Sequence, residues 1–247
     1  MTYCVGILLD KGLVLMSDTR TNSGVDNISV FRKMHSWSVP GERIIAIMTA
    51  GNLATTQSVI SQLEDRTKTP ADRQPALLEA PTMFRVASLV GNCLRNAVDG
   101  RDPDSGEMGG PRFTASLIVA GQIRGMEPQL FLIYPEGNFI EASFDTPFFQ
   151  IGETKYGRPI ILRGYDRTMS FEDAVKLLMV SFESTLAANL SVGLPFDLLV
   201  MERDRFEPLH QRRVLNNDAY FRAISAEWNE ALRKAFQSLP DYSFYQG

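Results

Sequence analysis

Apolar positions along the chain come in two rhythms. Tyr3 to Leu9, Leu13 to Ser17, Arg43 to Met48 and Phe196 to Met201 are short, nearly continuous apolar runs rich in β-formers. Such runs predict strands covered on both faces. Leu53, Val59, Ile60 and Leu63, and later Val86, Leu89, Val90, Cys93, Leu94 and Val98, recur instead at the spacing of one helical face. Phe113 to Ile123, Leu130 to Tyr134, Phe139 to Ser143 and Phe148 to Ile151 read as four further strands, and a second helical stripe follows in Ala174, Leu177, Leu178, Phe182 and Leu186. Two runs of strands, each interrupted by a pair of helices, predict an α+β fold: a four-layer αββα sandwich of two antiparallel sheets with helices on the outer faces.

Turn chemistry separates these segments. Asp10-Lys11-Gly12 joins the first two strands as a hairpin, Pro40-Gly41 precedes the fourth run, and Pro135-Glu136-Gly137 is a second hairpin turn. Asn22 to Ser29 reads as a polar loop, Lys68 to Pro81 as a proline-bearing linker between helices, and Gly100 to Arg112 as a solvated loop. The acidic residues Asp102, Asp104 and Glu107 of that last loop lack calcium-loop spacing. Gly51 and Asn52 begin a helix, Lys155 to Arg163 is a short helix interrupted by Pro159, and Ser170-Phe171-Glu172-Asp173 is a capping signal. Residues 1–205 form the sandwich domain and 206–247 a helical extension of it. In that extension Phe221, Ile224, Trp228, Leu232, Phe236 and Leu239 give one apolar face to a helix from about Asn217 to Ser238. That face has two readings, packing on its own domain or docking on a neighbouring subunit.

Composition narrows the function. A net charge of −4 offers no electrostatic case for nucleic acid. Two cysteines, Cys4 and Cys93, and two histidines, His35 and His210, suggest neither a disulfide framework nor a metal site. No apolar run approaches the roughly 20 residues that span a bilayer, and Tyr3 to Leu9 lacks the flanks of a secretory leader. The expectation is a cytoplasmic protein needing neither metal nor organic cofactor.

The first hairpin carries the candidate chemistry. With its turn near Lys11, residues 19 to 21 come opposite Thr2, and Asp18 lies within diagonal reach of it. If Met1 is removed, Thr2 carries a hydroxyl and a free α-amine on one Cα. Such an amine has an ordinary pKa of about 7.7–8.0, suited to accept the hydroxyl proton directly or through one water. A cation nearby would lower that pKa further, and Lys33 is placed for it if the next strand folds alongside; Asp18 could hold the lysine. By period two, Phe31, Lys33 and His35 share one strand face. The same residues also fit a common Met-Thr start and an ordinary Asp-Thr-Arg turn.

Thr2, the segment Met16-Ser17-Asp18-Thr19-Arg20-Thr21, Lys33 and Thr49-Ala50-Gly51 together resemble the proteasome β-subunit pattern of N-terminal threonine, Asp-Thr-Arg, lysine and Ala-Gly. With its Met-Thr-Tyr-Cys-Val-Gly start, the chain is most similar to the bacterial Anbu family, the ancestral β-subunit. The resemblance implies the N-terminal nucleophile hydrolase fold and a threonine-type peptidase with Thr2 as nucleophile, Lys33 and Asp18 beside it, and the Gly51 N–H as oxyanion donor. It places Thr21, Phe31, His35, Thr49 and Leu53 along the peptide or protein substrate, in a pocket suited to a neutral, medium-sized side chain. It also implies a homo-oligomer, as a ring, lock-washer or helical stack.

Two segments depart from the proteasome pattern. Where Gly-Ser-Gly is usual, the chain reads Gly152-Glu153-Thr154, and Glu153 either polarises the amine or raises its pKa. The Asp-x-x-Ser-Gly segment becomes Ala188-Asn189-Leu190-Ser191-Val192, which keeps the serine and loses the aspartate. Glu153 and Ser191 are therefore accessory candidates. Two rival readings follow: an amidase acting on a small peptide or conjugate, in keeping with the family's association with peptide-ligation genes, and a scaffold subunit with weak or no catalysis.

Overall fold

A computed structural model describes residues 2–22, 28–68, 76–99 and 113–244. The predicted loop Gly100 to Arg112 and residues 69–75 of the Lys68 to Pro81 linker lie outside the described residues, as does Met1.

Two five-stranded antiparallel sheets are stacked. The first takes β1 (Tyr3–Leu9), β2 (Gly12–Asp18), β10 (Phe148–Gly152), β11 (Phe196–Glu202) and β12 (Pro208–Val214) in the order β10-β1-β2-β11-β12. The second takes β5 (Met34–Val39), β6 (Arg43–Gly51), β7 (Ala115–Ile123), β8 (Gln129–Ile133) and β9 (Phe139–Glu141) in chain order. Helices α1 (Leu53–Lys68) and α2 (Met83–Asp99) cover the second sheet; α3 (Arg158–Gly164), α4 (Phe171–Ala188) and α5 (Ala219–Gln237) lie on the side of the first. This is the four-layer sandwich the pattern predicts.

Strand alternation explains the layers. On β6, Ile45 and Ile47 face α1 and α2, whereas Ile44, Ala46 and Met48 face the opposite sheet. On β2, Val14 and Met16 face α4 while Leu13 and Leu15 join Ile118, Leu130 and Leu199 between the sheets. Both faces being buried, the period-two signal reads as a continuous apolar run. Cys93 is fully buried in the α1/α2 core, as its helical stripe predicts.

Four local readings are corrected. Asn22 to Ser29 is not all loop: Arg20–Asn22 (β3) pairs with Ile28–Val30 (β4) in a two-stranded ribbon. Pro159 does not interrupt a helix but sits in the first turn of α3, where its missing N–H costs nothing. Gly51 ends β6 rather than opening α1; Asn52 follows and its Oδ1 accepts from Thr55 N at 3.0 Å. Strand β12 escapes the pattern entirely, because Leu209 to Arg213 form an edge strand facing solvent and show no apolar alternation. The Ser170 cap forms as read, its hydroxyl accepting from Asp173 N at 3.0 Å.

Candidate active site

The hairpin register sets the first contacts. Cys4 faces Ser17 across β1 and β2, so Asp18 comes level with Tyr3. Its Oδ1 accepts the Tyr3 backbone N–H at 3.0 Å and the Lys33 ammonium at 2.7 Å. Lys33 Nζ also donates to the Arg20 carbonyl at 2.6 Å. Asp18 is fully buried and Lys33 only 4% exposed. Burial pushes the Asp18 carboxyl above its ordinary pKa, against the opposing pull of Lys33 and the Tyr3 and Gly193 amides. Lys33 is anchored through its backbone as well, for its carbonyl accepts from Thr49 N at 2.9 Å.

That last bond determines where Gly51 points. Thr49 and Lys33 are a hydrogen-bonded pair, and N–H groups alternate sides along a strand. Asn52 N donates to Thr114 O on the β7 side at 3.0 Å, so the Gly51 N–H faces the β5 side. Pairing there has already ended: Phe31, which would continue it, donates its N–H to Thr19 O at 2.9 Å. The Gly51 amide therefore turns toward a cavity. Its φ of +114° is one only glycine adopts readily, and a Cβ there would meet Thr114 O at 2.5 Å.

The cavity holds about 220 Å³ and is lined by Thr2, Thr21, Lys33, Thr49, Ala50, Gly51, Leu53, Thr56 and Gly152. A second cavity of about 430 Å³ adjoins it, sharing Thr49, Leu53 and Thr56. Phe31 and His35 line this second one, as do Arg32, Gln57, Ser61 and Glu64. The structure thus brings together Thr2, Asp18, Lys33, Gly51, Thr21, Phe31, His35, Thr49 and Leu53. It keeps Ser191 off both cavities; its N–H donates to Asn189 Oδ1 at 3.0 Å. Glu153 is buried beside Thr2, and its N–H donates to the Thr2 carbonyl at 2.6 Å.

Sequence reading missed Thr56, Gln57, Ser61 and Glu64. They occupy the polar flank of the α1 stripe, at positions 3, 4, 8 and 11 after Leu53, which helical spacing places along one side. Strict period two would turn Arg32 away from Phe31, Lys33 and His35, yet it lines the second cavity, because β5 begins only at Met34. His35 is held below the ordinary imidazole pKa, first by burial and then by the Arg32 charge, with Glu64 pulling the other way. Among the described residues no group of three metal-ligating side chains occurs, and no described helix is long and apolar enough to cross a membrane.

Comparison with known proteins decides the family. The chain is similar to Anbu from Hyphomicrobium sp. strain MC1, in its Gly-1 mutant form, at 46% identity, covering 98% of this chain and 100% of that one with a TM-score of 0.90. The chain belongs to the Anbu family. Anbu (ancestral beta-subunit) from Yersinia bercovieri is 43% identical over 98% of this chain and 100% of its own, with a TM-score of 0.91. The helical assembly of the Anbu complex from Pseudomonas aeruginosa contains a chain 41% identical, matched over its whole length and over all of this one, with a TM-score of 0.90. The proteasome subunit family model matches residues 86–199. The proteasome subunit beta of Methanopyrus kandleri is 23% identical over 207 residues, 82% of this chain and 88% of that protein. The proteasome-like sandwich is thereby both the observed fold and the family fold.

Proposed function

We propose that this Anbu-family chain is a threonine-type peptidase that works inside a self-assembled complex. The observation that carries the reading is the buried Asp18–Lys33 pair, 2.7 Å apart, whose Lys33 lines one cavity together with Thr2 and Gly51. Removal of Met1 would free the Thr2 amine. That amine, kept neutral by the Lys33 charge, takes the hydroxyl proton as Thr2 Oγ attacks the peptide carbonyl. The developing oxyanion accepts from the Gly51 N–H, and the proton passes to the leaving amine as the C–N bond breaks. Water then hydrolyses the ester on Thr2 with the same amine as base, returning a free hydroxyl and a carboxylate product.

The adjoining cavity takes the side chain before the cut bond. Its walls carry Arg32 and Glu64, which oppose one another in charge, beside Phe31, Ile60 and a neutral His35. A neutral, medium-sized side chain suits that lining, in a protein, a peptide or a small conjugate. Self-assembly is supported by the helical assembly of the Pseudomonas aeruginosa relative. The test is intact mass together with Thr2→Ala. Loss of Met1 and activity abolished by Thr2→Ala support the peptidase; retention of Met1 leaves Thr2 without a free amine and makes the chain a structural subunit.

A further inference from the structure

Thr2 is gripped from two directions. The Tyr3 N–H that follows it donates to Asp18 Oδ1, and its own carbonyl accepts from Glu153 N at 2.6 Å. The second grip needs a very close approach of chains. Gly152 sits at φ +83°, and a Cβ there would lie 2.0 Å from the Thr2 carbonyl oxygen.

What fixes Glu153 is its side chain, 7% exposed and fully engaged in holding the turn. Oε1 accepts from Lys155 N at 2.9 Å, and Oε2 accepts from Asn189 Nδ2 at 2.9 Å. Asn189 is itself buried at the C-terminal end of α4, where its N–H bonds to Thr185 O and its Oδ1 accepts from Ser191 N at 3.0 Å. Its amide has only one workable orientation. Flipped, it would set oxygen against a carboxylate and nitrogen against an N–H. A chain of hydrogen bonds thus runs from the end of α4 through Asn189 and Glu153 to the Thr2 carbonyl.

We infer that Glu153 and Asn189 are positioning residues for Thr2, acting through the Glu153 backbone rather than as acid or base. The inference rests on the peptidase reading for its kinetic arm alone. Fixing the Thr2 carbonyl fixes the rotation about its Cα, and with it the direction in which Oγ and the amine leave the backbone. Misplacement of a reacting group by about 1 Å can cost on the order of 10²-fold in rate.

The test exchanges donor and acceptor. Asn189→Asp sets two carboxylates face to face and should lower kcat by about tenfold or more with KM within about twofold. Adding Glu153→Gln restores the bond with reversed polarity, since the new amide NH₂ donates to the carboxylate introduced on α4 while its oxygen still accepts from Lys155 N. The double variant should recover most of kcat. Hydrogen exchange at the Glu153 amide supplies a readout independent of turnover: fast in the single variant, and protected in wild type and the double. An Asn189→Asp protein that keeps wild-type kcat and protection overturns the inference, and so does a double variant no better than the single. If wild type turns over no peptide, the peptidase reading fails separately, and exchange alone decides the positioning claim by the same rule.

Discussion

Lys33 is an ammonium held out of water by two oxygens, Asp18 Oδ1 and the Arg20 carbonyl. Removing one partner of such a buried pair leaves the other charge uncompensated and typically costs about 3–5 kcal/mol. Lys33→Ala should therefore both abolish Thr2 reactivity and lower the urea midpoint markedly, whereas a lysine serving catalysis alone would leave the midpoint unchanged. His35 gives a pH signature. Its folded pKa lies below the ordinary 6.5, so the folded chain binds this proton less readily than the unfolded one. Its contribution to stability is fully present above 6.5 and is lost as pH falls through that value toward the folded pKa. The neighbouring cavity should discriminate against acidic side chains least at low pH, when the ring is cationic. A peptide panel run across that window in wild type and His35→Gln checks it: the shift should vanish in the variant. Thr2 and Asp18 were legible because the hairpin register and a family pattern both name them, and Lys33 because the family pattern does. Gln57, Ser61 and Glu64 were not, since a polar helix flank ordinarily reads as solvated surface, and only the diversion of Phe31 toward Thr19 opens a cavity beside it.

Among the elements, the junction of β6 with α1 carries the tightest constraint. Gly51 must hold φ +114° against the Thr114 carbonyl, and from there the chain enters the Asn52 cap. Gly51→Ala should cost about 1–3 kcal/mol from backbone strain and turn the Gly51 amide off the cavity. Thermal unfolding and Thr2 acylation, measured together, should both fall; a variant that loses neither contradicts the placement of this amide. The strands with both faces buried were plain in the sequence because their apolar runs leave little alternative. β12 was not, for Leu209-His210-Gln211-Arg212-Arg213 presents its backbone to β11 and its side chains mainly to water. Pro159 misled for a related reason. A proline signals a break only inside a helix, and it opens α3 here.

On the scale of the whole molecule, α5 divides into two parts. Phe221 is buried against α4 and β11, and Glu183 accepts from Ser225 and Asn229 to hold the helix down. Beyond them Leu232, Phe236 and Leu239 are 48%, 77% and 63% exposed. The first turns thus pack on their own domain, while the far end presents its apolar side chains outward. If that end joins subunits, Leu232→Asp with Phe236→Asp should shift light-scattering mass toward smaller species while changing unfolding free energy by no more than about 0.5 kcal/mol each, as exposed positions do. An unchanged assembly would place the contact elsewhere. Whether Thr2 is a nucleophile with a free amine is measured most directly by intact-protein mass before and after exposure to a peptide epoxyketone, an electrophile whose stable capture needs a hydroxyl and a free amine on one residue. A threonine-type peptidase should show a chain lacking Met1 that takes up one equivalent at Thr2, with no uptake in Thr2→Ala. A chain that keeps Met1, or that is labelled equally well after Thr2→Ala, contradicts that reading.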